Sequence, residues 1–123
     1  MNKHSENLKE VNVDLKDKEI EWTIEFVRRV IERNIIGFFN NNLSECKTEI
    51  TRMMKERSVI VCNPDEKYYN QYWCLIELPL LGLTKIPIVI LHNKIIVTTI
   101  ANPVTDERCK NVYNKKFKRD KNV

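Results

Sequence analysis

The chain has 123 residues, of which 42% are hydrophobic and 31% charged, with a formal net charge of +4 and two glycines. That length and balance describe one globular domain able to bury a core without disulfides or metals, and they exclude a disordered or fibrous chain. So few glycines argue against Gly-rich phosphate loops, and no apolar run approaches the roughly 20 residues needed to cross a bilayer.

The first stretch, MNKHSENLKEVNVD, lacks the apolar centre of a secretory signal, so a cytoplasmic protein is expected. Residues 1–12 are polar and aperiodic and are expected to be a flexible N-terminus, with His4 solvated. Residues 13–105 are then expected to form a single α+β domain, followed by a basic C-terminal tail over 106–123.

From Lys18 the apolar residues Ile20, Ile24, Val27, Ile31, Ile35 and Phe38 recur at helical steps, which predicts an amphipathic helix with that stripe inward. Glu21, Glu25, Arg29 and Arg33 stand at i, i+4 spacing with acids before bases, the order that the helix dipole favours. Gly37 and Asn40-Asn41-Asn42 interrupt this helix, and Asn42 with Glu45 has the spacing of a capping box for a second one. Leu43, Cys46, Ile50, Met53 and Met54 supply its buried stripe, leaving Lys47, Arg52, Lys55 and Arg57 outside.

After Arg57 the period changes to that of strands. Residues 58–62 run into an Asn-Pro-Asp-Glu turn, 72–78 return, and Pro79 and Gly82 mark a break. The strongest strand signal is 86–91, mirrored by 94–100 across His92-Asn93. That two-residue turn sets a register in which Leu91 faces Lys94, Ile90 faces Ile95 and Ile88 faces Val97. Pro87, without an N–H, points to an edge or a strand start. About four antiparallel strands are expected, packed under the two N-terminal helices. Because Ile86, Ile88 and Ile90 alternate with Val89 and Leu91, both sheet faces are apolar. The second face needs a cover, supplied either by a homodimer through the 86–100 hairpin or by the tail wrapping round to it.

Residues 106–123 hold seven Lys/Arg and three Asp/Glu, so the tail carries all of the +4 and leaves 14 of each sign in 1–105. Lys115, Lys116, Lys118 and Arg119 can contact nucleic-acid phosphates, with Tyr113 and Phe117 available to stack on bases. Tyr68, Tyr69, Tyr72 and Trp73 crowd a polar loop and form a candidate partner-binding surface. Cys46, Cys62, Cys74 and Cys109 have no zinc-ligand spacing, so reduced, buried thiols are expected, with no metal and no cofactor. A bridge between Cys62 and Cys74 stays open, since the hairpin brings them near each other. His92 reads as a solvated turn residue.

The segment FVRRVIERNI, residues 26–35, together with the later strands IPIVIL and IIVTTI, resembles small toxin-like domains of the BrnT and RelE type, within the barnase, EndoU, colicin and RelE-like nucleases. The resemblance spans about residues 22–103. It implies RNA cleavage in which Arg28, Arg29, Arg33, Lys55 and Arg57 hold the scissile phosphate, with His92, Tyr68, Tyr69 or Glu77 moving protons. The chain departs from those relatives at Glu21–Glu25, where they often carry a histidine and this sequence has none. Catalysis needs a constellation of groups, whereas binding needs only surfaces. The expected function is therefore a small non-enzymatic interaction protein binding a protein or nucleic acid, with RNA through Arg28, Arg29, Arg33 and the tail cations. The alternative is an RNA-directed ribonuclease toxin. The abundance of Asn, Lys and Ile is compatible with an AT-rich source such as a virus or other mobile element.

Overall fold

The computed structural model describes residues 8–64, 70–101 and 104–117. Strand β1 (Glu19–Trp22) leads into helix α1 (Ile24–Glu32), a 3-10 helix (Ile35–Phe39) and helix α2 (Leu43–Glu56). Strands β2 (Val59–Cys62), β3 (Gln71–Leu78), β4 (Gly82–Ile90) and β5 (Lys94–Val97) follow, and helix α3 (Glu107–Phe117) comes last. The strands form one sheet in the order β1-β5-β4-β3-β2, antiparallel throughout except that β1 runs parallel to β5. The α+β architecture with N-terminal helices and a mostly antiparallel sheet is as expected. Among the described residues the strands number five rather than about four, and a helix stands where a tail was expected.

The first helix starts later than its periodicity suggests. Glu19-Ile-Glu-Trp alternates charged and apolar residues, which suits a strand equally well, and β5 supplies a pairing partner: Ile20 lies beside Ile95 and Trp22 beside Val97. Thr23 then caps α1, its Oγ1 accepting the Phe26 N–H at 3.1 Å. The inward face of α1 is Phe26 and Val30, both fully buried, while Ile24 is 86% and Ile31 55% exposed. The apolar arc of this helix is wider than the part that meets the sheet, so the stripe read from spacing is rotated from the true contact. Glu21, being in a strand, leaves the expected ladder and pairs with Lys94 at 3.2 Å.

Pro87 lies inside the sheet, opposite Trp73 on β3, and not at an edge. Thr98 donates its N–H to the Pro87 carbonyl at 3.0 Å, and an antiparallel ladder would return a bond from residue 87 to the Thr98 carbonyl. Proline cannot make that bond. The orphaned carbonyl instead accepts from Thr23 Oγ1 at 2.7 Å, so the cap of α1 satisfies the defect that the proline creates. The ladder resumes one residue out of step, with Lys85 paired to Ala101, which is a bulge that keeps Ile100 in the core. The 90–95 and 88–97 pairs of the hairpin match the register expected from the His92-Asn93 turn.

Both faces of the sheet are covered by helix. On the first, Phe26, Val30, Cys46, Ile50 and Met54 pack against Cys74, Ile76, Ile86, Ile88 and Ile95. On the second, Cys109 and Tyr113 of α3 pack with Val104 against Val59, Val61, Trp73 and Leu75. The expected tail is helical at 107–117 because Cys109, Val112, Tyr113 and Phe117 recur at helical spacing and the apolar face of β2 and β3 lies beneath them.

Candidate polyanion interface

The segment after residue 8 lies along the outer edge of β2, with Glu10 bridged to Val61 and the Val11 N–H donating to the Ile60 carbonyl at 2.6 Å. It covers an edge that would otherwise present unpaired backbone groups. Of residues 1–12, the described part is thus tied to the sheet at Glu10 and Val11. Between this segment and α3 runs a furrow of about 720 Å³, floored by Leu8 and Val112 and walled by Lys9, Glu10, Arg108, Asn111, Lys115 and Lys116. A second hollow, of about 310 Å³, shares Glu10 and Lys116 and continues past Lys16, Lys55 and Phe117.

Among the described residues, four cations line the larger furrow against one carboxylate. Lys116 Nζ sits at the junction, 2.5 Å from Glu10 and 3.2 Å from the Ser58 carbonyl. Arg108 grips Asp106 with both arms, at 3.1 Å and 2.8 Å, in the geometry of a bidentate pair. That contact, against some opposition from burial, holds the Asp106 carboxyl below its usual range. Asp106 also accepts the Arg108 N–H at 2.9 Å, which fixes the start of α3. Lys9 and Lys115 are exposed and enter no ion pair among the described residues. Beside them the Arg57 guanidinium lies 4.5 Å from the centroid of Phe117, whose ring is 4.8 Å from that of Tyr113.

The nucleic-acid candidates from the sequence separate into two groups. Lys115 and Lys116 line the furrow, with Lys55 and Arg57 beside it, while Lys118 and Arg119 fall outside the described residues. Arg28 and Arg29 are on α1 and Arg33 is its C-cap, across the sheet. Arg28 and Arg29 both bind Glu25, the latter at 2.7 Å, and the Arg29 contact leads in holding that carboxyl below its usual range. Arg33 donates to the Ile100 carbonyl at 3.1 Å. The helices that carry the two sets pack on opposite faces of one sheet.

The aromatic partner-binding candidates also divide. Trp73 is buried in the second cluster under Lys85, whose Nζ is 3.9 Å from the ring centroid, and Tyr72 packs on the first cluster. Adjacent strand residues point to opposite faces, so these two cannot form one exposed patch. Tyr68 and Tyr69 lie outside the described residues, as does His4. Tyr113 is 1% exposed and packs in the core, which removes it as a base-stacking group. Neither His92 nor Glu77 lines either hollow; the His92 carbonyl, at the hairpin tip, accepts from Lys18 Nζ at 2.8 Å. The 86–100 hairpin is internal to the sheet, so a homodimer through it would have to meet face to face over the half-buried Pro87, Val89 and Ile96.

All four thiols are free. Burial pushes Cys46 and Cys109 up to about 11 and Cys74 up to about 12, while Cys62 is exposed. Cys62 lies opposite Tyr72, and Cys74 opposite Ile60. Among the described residues no group of three or more His, Cys, Asp or Glu is placed to hold a metal ion, and no helix is long and apolar enough to cross a membrane.

Sequence reasoning missed Lys9 and Arg108. Lys9 carried no periodic signal, and only its place beside the β2 edge gives it a role. Arg108 was counted in the tail's charge without a position, although Asp106 two residues before it is the sort of signal that marks a helix start. The described residues form a small α+β domain with a furrow lined by Lys9, Arg108, Lys115 and Lys116. Comparisons with protein-family models, with curated proteins and with solved structures find no match.

Proposed function

We propose that this domain is a non-enzymatic binding module for nucleic acid, RNA in particular, held along the furrow between the N-terminal segment and α3. The observation that carries this reading is the cluster of Lys9, Arg108, Lys115 and Lys116 around a hollow whose lining, among the described residues, holds a single carboxylate. Lysines that are exposed and unpaired can neutralise backbone phosphates, and each phosphate neutralised releases cations condensed on the nucleic acid, which is an entropic gain. The Asn111 side chain and the backbone along the furrow can add neutral hydrogen bonds to sugar and phosphate oxygens. Binding is favoured over cleavage because the furrow's acid, Glu10, is already engaged by Lys116 and no histidine lines the wall among the described residues.

Labelled mixed-sequence RNA, followed by anisotropy across a salt series and by gel for integrity, tests this. The expected result is intact RNA whose affinity falls with salt. In the double variant Lys9→Glu with Lys115→Glu the salt slope should be shallower by about 1.4, from roughly 0.7 for each lost single-strand contact. Arg28→Ala, on the opposite face, should leave the slope unchanged. Salt-insensitive binding, or an unchanged slope in the double variant, would sink the proposal. Cleavage abolished by Glu10→Gln would replace it with the ribonuclease reading.

A further inference from the structure

Across the sheet from the basic furrow, a groove of about 590 Å³ lies between the 3-10 helix, the N-terminal half of α2 and the turn joining β3 to β4. Two large apolar side chains border it in the open: Phe38 is 48% exposed and Leu80 is 89% exposed. Solitary exposed apolar residues are ordinary, but two at the mouth of one groove are the pattern of a recognition surface.

The backbone under Leu80 adds a second, independent observation. The turn Leu78-Pro79-Leu80-Leu81 closes with the Leu81 N–H on the Leu78 carbonyl at 3.2 Å and holds Leu80 at a positive φ of 69°, with Gly82 just beyond it at 86°. Among the described residues the other non-glycine positions in that region are Asn34, Asn40, Asn41 and Asn70, the residue type that tolerates it. At Leu80 alone the chain places a branched aliphatic side chain in a left-handed conformation, where asparagine would be less strained and more soluble. Neither local conformation nor burial rewards that leucine. Strain held at an exposed position is the mark of a site selected for what it touches.

The groove's charge indicates what it touches. Among the described residues its lining includes Glu45 and Glu49 and no lysine or arginine. Glu49 is matched by Arg52 on its own helix, but Glu45 accepts only from the Asn40 amide, at 3.3 Å, and pairs with no cation among the described residues. We infer that this groove docks a short segment of a partner protein whose apolar side chains, seated on Phe38 and Leu80, are flanked by lysine or arginine facing Glu45. It lies on the face opposite the RNA furrow, so both can be occupied at once and the inference stands apart from the proposed function.

Leu80→Asn separates a recognition role from a structural one, because asparagine suits the left-handed backbone. The probe is a displayed library of random short peptides, selected on the intact protein, with the enriched peptides resynthesised for titration. Enrichment of apolar peptides bearing Lys or Arg is expected, with binding weakened about tenfold or more by Leu80→Asn while its melting temperature stays level or rises. Glu45→Lys should shift enrichment towards acidic peptides. The inference is overturned by enrichment of peptides without basic residues or by none at all. It is equally overturned by a lower melting temperature in Leu80→Asn, which makes the leucine structural, or by a homodimer that Leu80→Asn dissociates, which makes the occupant a second copy.

Discussion

Helices α1 and α2 on one face pair Arg28, Arg29 and Arg52 with acids of their own helix, whereas on the other face, among the described residues, local pairs hold Arg108 and Lys110 of α3 but not Lys115 and Lys116. On the first face, Arg28 and Arg29 are matched by Glu25, and Arg52 by Glu49 and Glu56, all within one or two turns of the same helix. On the second, α3 directs Lys115 and Lys116 at a furrow, and the acid that reaches Lys116 comes from Glu10, 106 residues earlier. Local pairs of the first kind contribute only a few tenths of a kcal/mol each, but they cancel the field of their arginines. A run of basic residues therefore says little about a binding surface until their partners are known.

The largest test of this contrast lies in the two cores. Phe26→Ala and Tyr113→Ala each remove a fully buried ring, and each is expected to cost about 3–5 kcal/mol in a denaturant titration. Only Tyr113→Ala should also weaken RNA binding at temperatures where both variants remain folded, because Tyr113 seats the helix that carries Lys115 and Lys116. Equal loss of RNA binding in both variants would mean that the faces are not functionally separate.

Alkali should erode both faces together. Cys46, Cys74 and Cys109 have thiol pKa values raised by burial, so the folded state holds protons that the unfolded chain releases. Their stabilising effect is full below the ordinary thiol range and is lost as pH rises from about 9 through their folded values, by up to about 1.4 kcal/mol per pH unit for each thiol. Thermal melts of the wild type and of Cys46→Ala and Cys109→Ala, taken between neutral pH and pH 10, measure this. A melting temperature flat across that interval would contradict the burial of these thiols.

The smallest expected effect is also the sharpest discriminator of the α1 orientation. Ile24→Lys should change stability by no more than about 0.5 kcal/mol, since the side chain is 86% exposed. The stripe read from spacing instead places Ile24 in the core, where a lysine would cost several kcal/mol. A chemical melt of this variant chooses between the two orientations.

Much of the framework was legible along the chain because it rests on local rules. The Asn42–Glu45 start of α2, its buried Cys46, Ile50, Met53 and Met54, and the His92-Asn93 hairpin with its register all follow from periodicity and turn chemistry over a few residues. The two-sided apolarity of β4 also announced that the second face needs a cover. Of the candidate site, Lys115 and Lys116 were legible as charges, but the α1 arginines looked equally promising until Glu25 was seen to hold two of them.

What only the tertiary structure decided are relations between distant residues. Glu19–Trp22 fits a strand or the start of a helix by pattern, and β5, more than 70 residues later, settles it by offering hydrogen bonds. Pro87 can occupy an inner strand because Thr23 satisfies the carbonyl that it leaves unpaired. Lys9 gains a position because the N-terminal segment pairs with β2, and the rotation of α1 follows from which part of a broad apolar arc reaches the sheet. Sequence by itself determined the elements whose free energy comes from neighbours along the chain. Partner choice across the sheet, and with it the basic furrow, depended on contacts that exist only once the chain has closed on itself.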